Sequence, residues 1–180
     1  MDKEVHEQEP PKEKKTLQPS LLQDILALLI KIFAILTVLS LIFIFIFGVF
    51  TSNDLTMQPA VQASDIVIYY RLANEYKESD LVVLEYEDKP HIRRIVAVAG
   101  DTVDITEEGL FINDHLVIDQ NNQETLLYTD GVEFPLTVPE DHVFVLGDNR
   151  METIDSRMYG TVAIEDVRGK VSTLIRHRDL

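Results

Sequence analysis

The sequence predicts a mainly β protein with one N-terminal transmembrane helix followed by a small, mostly antiparallel β-domain. Two patterns predict this fold class. A long apolar run lies near the N-terminus, and the chain after it consists of short segments rich in Val, Ile and Tyr that are separated by turn residues. The 180 residues leave room for one modest domain beside an anchor. The absence of cysteine excludes disulfides, thiolate nucleophiles and Cys-type zinc sites.

The first predicted element is a disordered tail over residues 1–20. This stretch is polar, mixes charges of both signs and contains three prolines, at Pro10, Pro11 and Pro19. A segment of this composition has too little apolar surface to bury for a folded structure to form.

The second predicted element is a transmembrane helix over residues 21–50. Its part from Ile32 to Phe50 contains 19 residues and no charge, and a helix of that length spans about 28 Å, close to the thickness of the hydrocarbon core. A buried core helix would normally carry a polar stripe, which this run lacks. A cleaved signal peptide would normally have a shorter apolar region and end at small residues, whereas this run ends in the bulky Phe50.

The basic residues predict the orientation of this helix. The uncharged run is preceded by basic residues that include Lys12, Lys14, Lys15 and Lys31, and no Lys or Arg follows it before Arg71. The positive-inside rule therefore places the tail in the cytoplasm and residues 51–180 outside the cell membrane. We expect a single-pass protein of the cell membrane with an extracytoplasmic domain.

Charge and histidine spacing exclude several kinds of partner. The formal net charge is −15, and residues 51–180 carry 25 acidic and 11 basic residues. A negative field of this size argues against nucleic acid as a partner. The histidines show no paired ligand spacing, so we expect no metal site and no cofactor.

The outer domain is predicted to consist of short strands. The pattern predicts no helix after the anchor and an irregular loop or hairpin over residues 120–135. The predicted strands are Asp65–Tyr70, Leu81–Tyr86, His91–Val98, Thr102–Thr106, Leu110–Ile112, His115–Asp119, His142–Leu146 and Gly160–Ile175.

Three motifs resemble those of the type I signal peptidases, the membrane-anchored Ser/Lys proteases. The most specific is the run from Gly147-Asp148-Asn149-Arg150 to Gly160, and the other two are the segments Asp54–Pro59 and Arg93–Asp101. The resemblance covers the anchor and nearly all of residues 51–175. It implies that the outer domain, residues 51–180, has the signal-peptidase-like β fold.

The resemblance places Thr56 at the nucleophile position and Arg93 at the position of the general base. In the family a Ser attacks the peptide carbonyl and a neutral Lys accepts its proton. Thr keeps a hydroxyl, although its methyl group crowds the attack. Arg has no lone pair to accept a proton and a pKa above about 12, so it cannot serve as this base.

Two further positions differ from the family pattern. Asp54 stands in the segment that lines the oxyanion hole, where a carboxylate would repel developing negative charge. An ion pair between Asp54 and Arg93 is a hypothesis that follows from these positions. Thr153 occupies the position of the Ser that steadies the family Lys.

The remaining matches imply a structural network beneath the site, with Asp155 and Arg157 as a bracing ion pair rather than catalytic groups. Its members agree with the family residues and are Arg94, Gly147, Asp148, Asn149, Arg150, Asp155, Ser156, Arg157 and Gly160.

Other residues near these motifs leave alternatives open. His91 could be proposed as a substitute base because residues two apart on a strand share a face, although a lone His on a β-domain is more often structural. Met57, Pro59 and Val61 either line a groove for an extended apolar peptide, contact the membrane or pack in the core.

Two functions agree with this pattern. The favoured one is a non-catalytic signal peptidase homologue that binds exported proteins. It resembles the signal-peptidase-like proteins encoded with pilus genes in streptococci and other Gram-positive bacteria, which implies pilins and a sortase as partners and a role in pilus assembly. The alternative is an active type I signal peptidase that cleaves signal peptides with Thr56 as nucleophile. A self-cleaving repressor of related fold is disfavoured by the anchor and by the missing Lys.

Overall fold

The computed structural model describes residues 21–53, 55–86, 89–118, 124–128 and 131–176. The chain divides into two compact units, residues 1–41 and residues 42–180. The predicted tail, 1–20, lies outside the described residues.

Helix α1, Leu21–Ile46, is long and apolar, and none of its residues is buried. A long apolar helix whose side chains are not buried is compatible with a single-pass membrane anchor. The helix ends at Ile46 and not at Phe50 as predicted, because Phe47–Thr51 forms strand β1. β1 pairs antiparallel with β2, Ile66–Tyr70, and the backbone at Gly48 lies so close to Tyr69 that a Cβ would stand 2.0 Å from its ring.

All strand pairs in the described part of the chain are antiparallel. The larger sheet has the order β1-β2-β11-β3-β4-β9-β10 and the smaller one the order β7-β6-β5-β8. The bounds of the remaining strands are Leu81–Tyr86 (β3), Lys89–Val98 (β4), Thr102–Thr106 (β5), Gly109–Ile112 (β6), His115–Leu116 (β7), Leu136–Thr137 (β8), His142–Leu146 (β9), Val162–Ala163 (β10) and Val167–Ile175 (β11). The predicted fold class, mainly antiparallel β after one N-terminal apolar helix, is confirmed.

Strand β9 separates two parts of the hydrophobic core. Its side chains alternate, so that Val143 and Val145 pack with the larger sheet while Phe144 and Leu146 pack against the smaller one. A strand buried on both faces has a continuous apolar sequence, which is the pattern of residues 143–146. The Gly147–Gly160 motif begins directly after this strand and is therefore held by the core.

Several predicted elements differ in detail. Gly160–Ile175 is not one strand, because a 3-10 turn, Ile164–Asp166, separates β10 from β11. β7 is shorter than predicted, and Asp119 lies outside the described residues. The prediction of no helix after the anchor was wrong, since α2, Ser156–Tyr159, is one helical turn capped by the side chain of Asp155.

Candidate functional site

The nucleophile position lies on a turn that the core anchors. Thr56 is half-buried, and its neighbours Met57 and Val61 are buried in a core cluster with Val67 and Ile92. The Val61 amide donates to the Met57 carbonyl at 2.9 Å and closes the turn. Of the residues considered for a peptide groove, Met57 and Val61 therefore pack in the core, while Pro59 is exposed.

Arg93 reaches this turn from strand β4 and is 3% exposed. Its Nη1 donates to Thr56 Oγ1 at 3.1 Å and to its neighbouring Ile92 carbonyl at 2.6 Å. Its Nε and Nη2 both donate to the Ile154 carbonyl, at 3.1 and 2.8 Å. The guanidinium thus joins three separate parts of the chain at the predicted position of the base.

The partners of Arg93 determine what the site can do chemically. Within the described ranges, no carboxylate forms an ion pair with it, and its recorded acceptors are two carbonyls and a hydroxyl. Burial of a charge is costly unless hydrogen bonds compensate, which these acceptors provide. The guanidinium donates a hydrogen bond to Thr56 Oγ1. A proton donor therefore stands where a general base would have to accept the proton of this hydroxyl.

Thr153 is fully buried and fastens the turn through its hydroxyl. Thr153 Oγ1 lies 3.1 Å from the Thr56 carbonyl and 2.5 Å from the Asn149 carbonyl, and its single proton can serve one of them at a time. The Asn149 amide also donates to the Thr56 carbonyl, at 2.9 Å. The structure therefore brings Thr56, Arg93 and Thr153 together, whereas Asp54 lies outside the described residues and its predicted contact with Arg93 stays a hypothesis.

Asp155 and Arg157 form a fully buried ion pair beneath the site. Two pairs of atoms, Oδ1 with Nε and Oδ2 with Nη2, each lie 2.9 Å apart. Asp155 also accepts from the Gly147 amide at 3.2 Å, and Arg157 donates to the Arg150 carbonyl at 2.7 Å. Both groups are held by these bonds, and their bracing role stays a prediction.

The second ion pair in the network is more exposed. Arg94 Nε and Nη2 donate to the two carboxylate oxygens of Asp148, at 2.7 and 2.6 Å, and its Nη1 donates to the Ser79 carbonyl. The Arg94 side chain is 28% exposed and that of Asp148 is 5% exposed. This pair fixes the start of the Gly147–Gly160 motif to strand β4.

The remaining residues of the motif hold its backbone in place. Gly147 is required by space, because a Cβ there would lie 2.2 Å from Thr153 Oγ1. Arg150 is buried and donates to the Gly147 carbonyl at 3.0 Å and to the Thr125 hydroxyl. Ser156 Oγ accepts from the Val145 amide at 3.0 Å. Together they hold the motif against strand β9.

Comparison with known proteins identifies the family. A protein-family model described as signal peptidase, peptidase S26, matches residues 25–175. The chain belongs to the S26 signal peptidase family. The predicted resemblance to type I signal peptidases is confirmed.

Curated relatives of this S26 family member carry the names of processing peptidases. Signal peptidase I P of Bacillus subtilis subsp. natto is 30% identical over 139 residues, which cover 69% of this chain and 75% of that protein. Signal peptidase I of Bacillus amyloliquefaciens is 29% identical and covers 63% of this chain and 66% of its own length. The thylakoidal processing peptidase 1 of Arabidopsis thaliana is 35% identical over 61% of this chain and 31% of that protein.

A solved structure is also similar. The crystal structure of a signal peptidase I from Enterococcus faecalis matches 55% of this chain and 98% of its own chain, with a TM-score of 0.45 and 24% identity.

His91 lies close to Arg93 but on the wall of a separate pocket. This pocket has a volume of about 190 Å³, and its lining includes His91, Arg93, Ile154 and Tyr159 but not Thr56. A role for His91 as a substitute base stays a prediction.

The sequence analysis missed two groups of the site. One is the Ile154 carbonyl, which accepts two of the four bonds from Arg93. The other is Tyr128, whose hydroxyl donates to the Thr153 carbonyl and whose ring lies 4.8 Å from the Arg157 guanidinium carbon. A backbone carbonyl carries no sequence signal, and Tyr128 belongs to a region predicted only as a loop.

Asp65 holds the chain that follows the Thr56 turn. It is buried, and its Oδ2 accepts from the Gln62 amide at 2.9 Å and from Arg176 Nη2 at 3.3 Å. Burial raises the pKa of this carboxyl, but the bonds from Gln62 and Arg176 outweigh it and lower the pKa below its ordinary value. The ionised form of Asp65 is therefore the one that the fold stabilises.

Within the described ranges, no group of three or more His, Cys, Asp or Glu side chains is placed to hold a metal ion. The expectations of no metal and no cofactor stay predictions.

Proposed function

We propose that this S26 signal peptidase family member is a non-catalytic, membrane-anchored protein that binds an extended segment of an exported protein without cutting it. The observation that carries the proposal is the hydrogen bond that Arg93 donates to Thr56 Oγ1 at 3.1 Å. A nucleophilic hydroxyl needs a group that removes its proton, and general-base help is worth about 10²–10⁴ in rate. A guanidinium in that position cannot supply it.

The surface beside the site supports binding of an apolar segment. Four large apolar side chains on the segments around Thr56 and Arg93 are partly or largely exposed: Leu55 (48%), Met151 (69%), Ile154 (43%) and Met158 (43%). Exposed apolar side chains that lie close together are typical of binding surfaces. An extended client could pack against these side chains, and its backbone could pass Thr56 without being cleaved.

The predicted topology determines where the proposed client binding would take place. Helix α1 is compatible with a single-pass anchor, and the basic residues that precede it favour a cytoplasmic N-terminus. The binding domain would then meet clients as they leave the membrane. Pilins and a sortase are the proposed partners, and pilus assembly the proposed process, on the resemblance to the pilus-associated signal-peptidase-like proteins.

One set of observations favours an active peptidase as the second candidate. The curated relatives are named as peptidases, and Thr56 presents a hydroxyl at the predicted nucleophile position, in contact with Arg93 and Thr153. In this alternative Thr56 attacks the scissile carbonyl with help from an unconventional base.

A rescue experiment separates the two functions. In a strain of the source organism that lacks this gene, Thr56→Val and Thr56→Ala should restore the phenotype that the wild type restores, because binding needs no nucleophile. Thr56→Ser, which keeps a hydroxyl, is the matched control, and membrane levels of each variant are measured by immunoblot. Rescue by Thr56→Ser alone, with Thr56→Val and Thr56→Ala expressed at the same level, would establish catalysis.

A cleavage assay provides the second test. The full chain in detergent micelles should release no mature protein from a preprotein that a Bacillus signal peptidase I cleaves under the same conditions. Cleavage by the wild type that disappears in Thr56→Ala would overturn the non-catalytic proposal.

A further inference from the structure

The smaller sheet belongs to a stretch of the chain whose Asp and Glu side chains are not balanced by any Lys or Arg. Residues 95–149 contain 12 Asp and Glu and no Lys or Arg. This stretch includes strands β5 to β9 and therefore the whole of the four-stranded sheet. Two of the twelve, Asp119 and Asp130, lie outside the described ranges. Two cations border this face in the described part of the chain: Arg94, which pairs with Asp148, and the buried Arg150, and both line a neighbouring pocket with Val117 and Ile118.

A pocket with acidic and apolar walls lies on this sheet. Its volume is about 290 Å³, and no Lys or Arg lines it. Three carboxylate side chains contribute to the lining, from Glu107, Glu108 and Glu124. The apolar part of the lining is partly exposed, with Leu116 at 51%, Val117 at 38%, Ile118 at 78% and Leu126 at 48%.

The backbone beside this pocket is an open strand edge. β7 pairs with β6 on one side and is the outer strand of the described sheet. The Val117 amide donates to the Leu110 carbonyl at 2.8 Å, and Phe111 stands opposite Leu116. In an antiparallel pair the residue next to a hydrogen-bonded one directs its N–H and C=O outward. The backbone of Leu116 therefore faces away from β6, toward the open edge.

We infer that this edge docks an extended segment of another exported protein in which Lys or Arg alternates with large apolar residues. The segment would add a strand to β7 by hydrogen bonding to the outward backbone groups of Leu116. Its apolar side chains would pack against Leu116 and Ile118. Its cations would lie near Glu107 and Glu108. The inference does not depend on the proposed function, because the edge and its charge are the same whether or not Thr56 is catalytic.

Charge and geometry exclude other occupants. Anionic lipid headgroups and nucleic acids would be repelled by a surface of this sign. A metal ion would require a cluster of ligands, and the described residues contain no group of three or more. An extended cationic and apolar polypeptide agrees with all three features of the site: its charge, its apolar wall and its open edge.

Peptide binding to the full chain in detergent micelles tests the inference. The probe is a fluorescent octapeptide of alternating Lys and Val, and its binding is measured by anisotropy. Two control peptides have alternating Lys and Gly, or alternating Glu and Val. We expect the Lys–Val probe to bind at least about tenfold more tightly than either control, since both the charges and the apolar side chains contribute. Equal binding of the Lys–Gly peptide would overturn the inference, because charge alone would then account for it.

Matched variants locate the site. Glu107→Lys with Glu108→Lys should weaken binding of the Lys–Val probe by about tenfold or more. Glu133→Lys with Glu140→Lys changes the net charge equally at exposed positions outside the pocket and should have a much smaller effect. Ile118→Ser should weaken binding several-fold with no loss of folded protein, because Ile118 is 78% exposed. Equal effects of the two charge-reversal pairs would contradict a defined site.

The charge-reversal pairs also distinguish this edge from the Thr56 site, because the lining that contains Glu107 and Glu108 does not include Thr56 or Arg93. Unchanged binding of the Lys–Val probe by Glu107→Lys with Glu108→Lys would place the peptide elsewhere and overturn the inference. Displacement of the probe by millimolar calcium, but not by an equal ionic strength of sodium chloride, would identify the carboxylates as a cation site and would also overturn it.

Discussion

Replacement of Arg93 by Ala should destabilise the β-domain strongly. The guanidinium is 3% exposed and donates to three acceptors, the Ile154 and Ile92 carbonyls and Thr56 Oγ1. Each acceptor that loses its partner in a buried site costs about 1 kcal/mol, so the sum is about 3 kcal/mol. For a domain of this size that corresponds to a fall of about 10 °C in Tm.

Tyrosine fluorescence of the full chain in detergent micelles measures this change. The chain has no Trp, and its six Tyr all lie after helix α1, so their signal reports unfolding of the β-domain. The control is Arg168→Ala, which removes the same side chain from strand β11. Arg168 and its partner Glu85 are about 40% and 41% exposed, and such a pair contributes at most about 1 kcal/mol. Equal losses of stability in the two variants would refute the structural role that we assign to Arg93.

Three further predictions concern the network and the site. Asp155→Asn should lower the free energy of unfolding by about 3–5 kcal/mol, because it leaves the buried Arg157 without its anionic partner. Asp148→Asn should lower it less in the same tyrosine assay, because Arg94, the partner of Asp148, is 28% exposed. The stability advantage of the wild type over Asp65→Asn should be fully present above the ordinary carboxyl pKa of 3.8 and should shrink as the pH falls through the lower pKa of the folded state; a gap that widens in acid would contradict the assigned contacts. Thr56→Ser with Arg93→Lys should restore no preprotein cleavage while Asp54 remains, and Asp54→Gly added to this pair should raise it; high activity in the double variant would show that Asp54 is not inhibitory.

The sequence predicted strands well where one local pattern determined them. β3, β5 and β9 have the predicted bounds because each is a short β-branched run between turn residues. β1 could not be predicted in this way, since Phe47–Thr51 continues the apolar run of the helix and its strand conformation depends on pairing with the distant β2. Likewise, α2 is a single turn whose conformation is set by the Asp155 cap, and one turn has no helical period to detect.

The sequence predicted which residues form the site but not the hydrogen bonds between them. The resemblance placed Thr56, Arg93 and Thr153 in one site, and the structure brings them together. It could not indicate that Thr153 bonds to the Thr56 and Asn149 carbonyls, or that the Ile154 carbonyl accepts two bonds from Arg93. Such bonds depend on backbone groups, which are chemically the same at every position, so only the folded geometry selects them.

The geometry of Arg93 shows how an Arg differs from a Lys at this position. A Lys in a buried site has one ammonium, which can lose its proton and act as a base. The planar guanidinium keeps its charge and spans more acceptors, so that one side chain ties the turn of Thr56 to Ile154 and to its own strand. Neutral apolar residues at position 93 would leave those acceptors without donors. An Arg at position 93 therefore offers no proton acceptor to Thr56, and its hydrogen bonds stabilise the turn that carries Thr56.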